Sequence, residues 1–336
     1  MFGRGRGEAL VIHLGHGRWI TVDSFIEPSS RQPIALQYLA SIGVDPSAVD
    51  FVVATHWDKD HISGIARIVQ AASVADVVLS LALRSPDFIN LAFRHQQRTY
   101  ASPLGSGTKE FVRLVELLEK QERAPRFVLQ DTVLADRYGM RLVALSPSSS
   151  VALDALSAAS VAALEAGATG DSIVEPTPNA ASVVLAIRCA GGDVLLGADL
   201  EKPGWQLAVA AVSAEGLRAR MFKVPHHGSD DADAPSVWQN QLRSDAVYAV
   251  TRFNNGARSL PSNDDRSRMR TRNAQGHIVG PPSTRRHLHG IVGRRVRAAT
   301  REGIWQSTGP VGHYRWRGNL AELTSSTDTY GAVERI

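Results

Sequence analysis

Residues 49–61 read "VDFVVATHWDKDH", an apolar run that ends in a bend carrying two histidines and two aspartates. A short, unbroken apolar run is the mark of a strand covered on both faces. Polar chemistry is therefore crowded at the end of a buried strand. Alternate residues of an extended segment point the same way, so His56, Asp58 and Asp60 can converge, while His61 opens the next helix. Gly64 lets that helix pack close to the bend. Two carboxylates in such a setting repel each other without a cation, which points to a metal site. The simpler reading is a structural histidine with Asp60 capping a helix that begins near Ile62. One residue would fit that reading; four together go beyond it.

The same alternation of strand and helix extends outward. "ALVIHLGHGRWITVDSF" reads as a hairpin turning at Gly-His-Gly, and "PIALQYLASIGV" as a helix stopped at Gly43. Downstream of the bend, "ISGIARIVQAA", residues 86–97 and "KEFVRLVELLEKQE" have helical spacing, and "ADVVLSL", "RFVLQ" and "MRLVALS" read as strands. The Ala-rich stretch 151–170 reads as a helix or an insertion. "ASVVLAIRCAGGDVLLGADLE" is a second hairpin, turning at Gly191-Gly192. "RMFKVPHHGS" is a strand entering a histidine pair, "PSVWQNQLRS" a helix, "DAVYAVTRF" a strand and "GIWQSTGPVGHYRW" a last hairpin. These elements predict sheets packed together with helices outside, in one α/β domain over 1–280. Residues 281–336 read as a basic C-terminal extension packed on that domain.

Two further polar groups follow apolar strands, Asp199 in "VLLGADLE" and His226-His227 in "KVPHHGS". Strand ends are where an α/β scaffold presents reacting groups, and imidazole with carboxylate suits a borderline or hard divalent cation. Cys189 is the only cysteine among 336 residues, so neither a disulfide within the chain nor a thiolate zinc site is expected, and cytoplasmic residence is the simplest reading. No apolar run approaches the length of a membrane span, and the first residues lack a signal-peptide pattern. The net charge is only +4, yet eleven arginines lie between Arg258 and Arg301 against Asp264 and Asp265. Such a stretch suggests an anionic partner, with nucleic acid the leading one, or else a solvated surface. Trp305, Tyr314 and Trp316 could stack on bases, although their hairpin spacing also suits a sheet face.

"THWDKDHISG" resembles the metal signature of the metallo-β-lactamase superfamily, and with "VPHHGS" it is similar to the hydrolase domain of bacterial competence (DNA-uptake) proteins. The likeness runs from about residue 7 to about residue 255. It implies a four-layer αββα sandwich holding one or two divalent cations, zinc or manganese. In that likeness His56 and Asp58 hold one cation, Asp60 and His61 the other, Asp199 bridges them and His226 completes the set. His227 is then a ligand or a proton donor. The chain departs from the pattern at Ser146 in "ALSPS", where members often have a further His, and at Leu260-Pro261, where many have His-Pro.

The chemistry so implied is hydrolysis by a metal-bound hydroxide, with Asp60 orienting it and His227 available to protonate the leaving group. Arginine forks suit phosphodiesters, so a phosphodiesterase, specifically a nuclease, is the expected function. The alternatives are a hydrolase of small molecules (a cyclic nucleotide, thioester or lactam) and a catalytically weak binding subunit of a larger assembly.

Overall fold

A computed structural model of the chain describes residues 1–84, 89, 106–158, 178–256, 258–273, 275–286, 304–307, 309–318 and 324–336. The first strands in chain order are β1 (Phe2–Gly3), β2 (Glu8–Gly15), β3 (Arg18–Val22), β4 (Val49–Ala54), β5 (Asp76–Ser80) and β6 (Arg126–Val128). Then come β7 (Val133–Arg137), β8 (Met140–Ala144), β9 (Leu185–Cys189) and β10 (Asp193–Leu196). β11 (Ala219–Lys223), β12 (Leu242–Thr251) and β13 (Gly276–Val279) follow. The last are β14 (Gly312–Gly318), β15 (Ser325–Tyr330) and β16 (Val333–Arg335).

They form two eight-stranded sheets, ordered β15-β14-β1-β2-β3-β4-β5-β6 and β16-β13-β12-β11-β10-β9-β8-β7. Each has an antiparallel hairpin feeding a parallel run. β2 and β3 pair antiparallel before β3, β4, β5 and β6 run parallel. β9 and β10 pair antiparallel before β10, β11, β12 and β13 run parallel. The described residues beyond 281 extend both sheets, β14 pairing with β1 and β16 with β13.

Alternation along each strand divides its side chains between two cores. From β4, Phe51 and Val53 meet Leu142, Leu185 and Met221 of the second sheet in the central core. Val52 and Ala54 face outward, onto α1 (Ile34–Ser41), α3 (Ile65–Ala71) and α4 (Ser106–Lys120). Between α1 and α3 lies the short α2 (Lys59–Ile62). The outer face of the second sheet is covered by Trp205 of α5 (Lys202–Ala208) and Met269 of α6 (Asn263–Arg272). This is the four-layer αββα sandwich. Among the described residues no helix is long and apolar enough to cross a membrane.

One local expectation is met only in part, the helix at 235–244 ending at Gln241, and another fails. Val237–Gln241 makes a single π-helical turn, and Leu242 already belongs to β12, where it pairs with Ala219. Sheet pairing there overrides the helical spacing of the sequence. The expected hairpin 303–316 does not form, because 304–307 pairs with 283–286 whereas Gly312–Gly318 pairs with β1 and β15. The helix expected at 86–97 and most of the Ala-rich stretch lie outside the described residues; Val151 to Ala158 is helical.

Candidate metal centre

Parallel strands bring their carboxyl ends to one edge of the sandwich. Asp23 follows β3, Thr55 and His56 follow β4, Asp199 follows β10, His227 follows β11, and Thr251 closes β12. The turns carrying them are tight. Asp23, Ala198, His226 and His227 all have positive φ, between 45° and 58°, a conformation that side chains with a Cβ resist. At Gly64, φ is +86° and a Cβ would stand 2.3 Å from Ile26 Cδ1, so glycine is required for α3 to begin against the bend.

Four donor atoms meet at this edge. His61 Nε2 lies 3.3 Å from Asp199 Oδ2 and 3.7 Å from Asp60 Oδ2. His227 Nε2 lies 3.2 Å from Asp60 Oδ2 and 3.6 Å from Asp199 Oδ2. Tetrahedral ligands at zinc distances stand about 3.3–3.4 Å apart, so this spacing fits one divalent cation. His56 lies beside them, its ring centroid 4.3 Å from that of His61. The buried Nε2 atoms of His56 and His61 and Oδ1 of Asp199 have no hydrogen-bond partner, which in a native interior calls for a ligand.

Every one of these imidazoles is oriented from behind. His61 Nδ1–H donates to Asp23 Oδ2 at 2.8 Å. His56 Nδ1–H donates to Thr55 Oγ1 at 2.9 Å, and that hydroxyl donates to Asp23 Oδ2 at 2.8 Å. His227 Nδ1–H donates to Thr251 Oγ1 at 2.9 Å, and Thr251 donates to Glu8. With Nδ1 committed, each Nε2 lone pair faces the centre, the arrangement that metal-ligating histidines use. Lys223 is also there, fully buried, its Nζ 2.7 Å from Glu8 Oε1 and donating to Ala198 O at 2.6 Å.

The electrostatics follow from this packing. Burial opposes charge on His61, but Asp199, Asp60 and Asp23 outweigh it and lift its pKa well above the imidazole value. Burial likewise opposes charge on His227, and Asp199 and Asp60 raise it. His56 is pushed down to about 3, by burial and then by the like charge of His61. Burial would raise Asp199, yet His61, His227 and Lys223 hold it well below the usual carboxylate range. Without a cation these carboxylates favour a proton on Nε2 of His61 and His227; a cation would take the place of those protons and leave the lone pairs as donors.

The expected site residues divide into three groups. His56, Asp60, His61, Asp199 and His227 come together. Asp58 lies at the rim, its side chain 42% exposed and its Oδ2 3.8 Å from His56 Nε2. His226 turns away, donating from Nδ1 to Asp231 Oδ1 at 2.9 Å with Glu201 nearby, and its ring centroid lies 6.4 Å from that of His227. Of the two neighbouring histidines it is His227, rather than His226, that reaches the donor cluster. Asp23, Glu8, Thr55, Lys223 and Thr251 were not expected. The sequence signals were a charged residue at the end of "TVD" and a lone lysine within "RMFKV".

The basic stretch is partly neutralised by the fold. Arg266 pairs with Glu334, Arg268 with Asp230, Asp233 and Asp265, and Arg272 with Asp233. Tyr314, only 1% exposed, sits in the central core, and Trp316 packs against it. Tyr314 therefore offers no face for stacking. Arg294, Arg295, Arg297 and Arg301 lie outside the described residues.

The sequence model of the family described as "Metallo-beta-lactamase superfamily" matches residues 3–237. No curated protein matches the chain. Similar solved structures include MIM-2 metallo-β-lactamase, 13% identical over 70% of this chain and 75% of that one, with a TM-score of 0.36. A Cronobacter sakazakii metallo-β-lactamase, the HARLDQ motif mutant S60, is 12% identical over 64% of this chain and 69% of that one, at 0.34. The hydrolase AbOPH, of the β-lactamase superfamily, is 18% identical over 57% of this chain and 55% of that one, at 0.35.

Proposed function

Because the chain belongs to the metallo-β-lactamase superfamily, whose members are metal-dependent hydrolases, we propose that its centre hydrolyses phosphodiesters, as a nuclease in the first instance. The observation that carries the hydrolytic reading is the convergence of Asp60, His61, Asp199 and His227, with the Nδ1 of both histidines anchored. These four residues would hold the cation. Once bound, it lowers the pKa of water to roughly 7 and offsets charge developing on the substrate oxygens.

The chain's own groups supply the rest. Asp60, at the open side of the cluster, accepts a hydrogen bond from the attacking water and aims it. His226, at the rim and oriented by Asp231 and Asn179, is the group placed to pass a proton to the leaving oxygen. Lys59 is exposed between Asp58 and Asp60, and the exposed Arg6 lies 5.7 Å over Phe253, whose ring stacks on His227. Both cations suit an anionic diester.

One observation favours a second reading. With Arg266, Arg268 and Arg272 in ion pairs, part of the field that would hold a polymer is already spent, which favours a small diester such as a cyclic nucleotide. The deciding assay offers labelled single- and double-stranded DNA and RNA, a cyclic nucleotide and bis(p-nitrophenyl) phosphate to the purified chain. It is run with zinc, manganese or chelator, beside Asp60→Ala. Metal-dependent cleavage of polymer that disappears in the variant supports a nuclease. Cleavage of the small diesters alone supports the second reading. Turnover of lactam or thioester without any diester cleavage would exclude both.

A further inference from the structure

We infer that the centre holds one divalent cation tightly and that the Lys223 ammonium takes the place of a second. This rests on the metal-binding part of the proposed function and is independent of the substrate.

The donors set the count. An imidazole nitrogen has one lone pair, and Nδ1 of His61 is already bound to Asp23, so His61 can serve only one cation. His61, His227, Asp60 and Asp199 Oδ2 form one complete set. What remains for a second cation is His56 Nε2 and Asp58 Oδ2, 3.8 Å apart, the latter on a half-exposed side chain. Ser146, where members of this family often have a further histidine, does not supply the missing donor. Its hydroxyl donates to Ser182 O at 2.6 Å and accepts from Val184 N at 2.9 Å, so it is committed to the backbone.

The oxygen of Asp199 left over from the first set is Oδ1. That atom faces Lys223 Nζ at 3.5 Å, while Oδ2 faces His61 and His227. The ammonium is held in place from two other directions, by Glu8 Oε1 and by the carbonyl of Ala198. Lys223 therefore puts a fixed positive charge beside the second position. A cation there would meet that charge at low local dielectric, with only His56 Nε2, Asp58 Oδ2 and Asp199 Oδ1 to hold it in place of four donors. Lys223 acts through Asp199 and is a positioning residue.

The test is zinc binding to the metal-free chain of 336 residues, read by competition with a chromophoric chelator and by metal analysis after desalting. Wild type is expected to retain one zinc per chain, with any second ion bound at least 100-fold more weakly. The charge-neutral pair Lys223→Met with Glu8→Gln frees Asp199 Oδ1 and is expected to tighten the second ion at least 10-fold. Two zinc ions of similar affinity in wild type, or none, would overturn the inference, and this arm needs no variant. An isotherm of the folded double variant that overlays wild type would overturn the role of Lys223. A chain that holds one zinc but cleaves no diester would sink the substrate proposal and leave this one standing.

Discussion

Thr55 and Thr251 occupy matching places in the two halves of the sandwich. Each hydroxyl joins Nδ1 of a histidine to a buried carboxylate, Thr55 linking His56 to Asp23 and Thr251 linking His227 to Glu8. Both threonines stand at the end of a central parallel strand, so strand pairing fixes the hydroxyls that fix the imidazoles.

The two positions should nonetheless respond differently to substitution. Thr251→Val keeps the side-chain shape but removes the acceptor that orients His227, a member of the complete donor set. Loss of such a partner typically weakens metal binding about 10- to 100-fold. Thr55→Val touches His56, which lies outside that set, and should shift the tight zinc affinity by less than the ~10-fold at which such losses begin. Equal losses in a chelator competition would show that His56 helps hold the tight cation.

The buried ion pair makes a prediction about stability. Lys223 and Glu8 are both fully buried, at 2.7 Å. Removing one partner strands the other charge, at a cost of about 3–5 kcal/mol, whereas removing both costs far less. Urea unfolding of the metal-free chain should therefore show Lys223→Met or Glu8→Gln alone less stable than the two combined. Additive losses would mean that the residues do not act as a pair.

The fold was legible wherever local pattern and tertiary pairing agreed. "VDFVVA" formed its strand, both Gly-turned hairpins formed, and Gly64 was required as the bend suggested. It was least legible at residues 237–245 and 304–316, where pairing with distant strands decided the outcome. At the centre, the order of residues in "THWDKDH" marked the cluster, but nothing in "PHHGS" says which histidine turns inward. That is decided by the positive φ of both residues and by Thr251, some twenty residues away. Asp23, Glu8 and Lys223 were missed because each stands singly at the end of a strand, and their convergence depends on both sheets.

Acidity should act on the metal-free chain from both sides. His61 and His227 have pKa values raised above the ordinary 6.5. Their contribution to stability is full below about pH 6.5 and is lost as pH rises through their folded values. His56 is held down to about 3, so its contribution is full above about 6.5 and is lost as pH falls toward 3. The urea midpoint of the chelator-treated chain should therefore peak near pH 6.5. Zinc must displace the protons on His61 and His227, so its binding should release protons and strengthen with pH. Calorimetry in buffers of different ionisation enthalpy reads the release directly; no buffer dependence near neutral pH would show that these imidazoles are already neutral.

The last prediction separates the two adjacent histidines. His227 Nε2 lies in the donor cluster, 3.2 Å from Asp60 Oδ2, and its Nδ1 is committed to Thr251. His226 instead pairs with Asp231 at the rim. His227→Gln should thus lower zinc content and activity together. His226→Gln should keep the zinc and lower kcat about 100- to 10,000-fold on a diester with a poor leaving group, the usual worth of a positioned proton donor. With p-nitrophenolate, which departs without a proton, the same variant should lose far less. If His226→Gln were equally impaired on both substrates with its zinc retained, His226 would be acting in substrate binding and the leaving group would draw its proton from elsewhere.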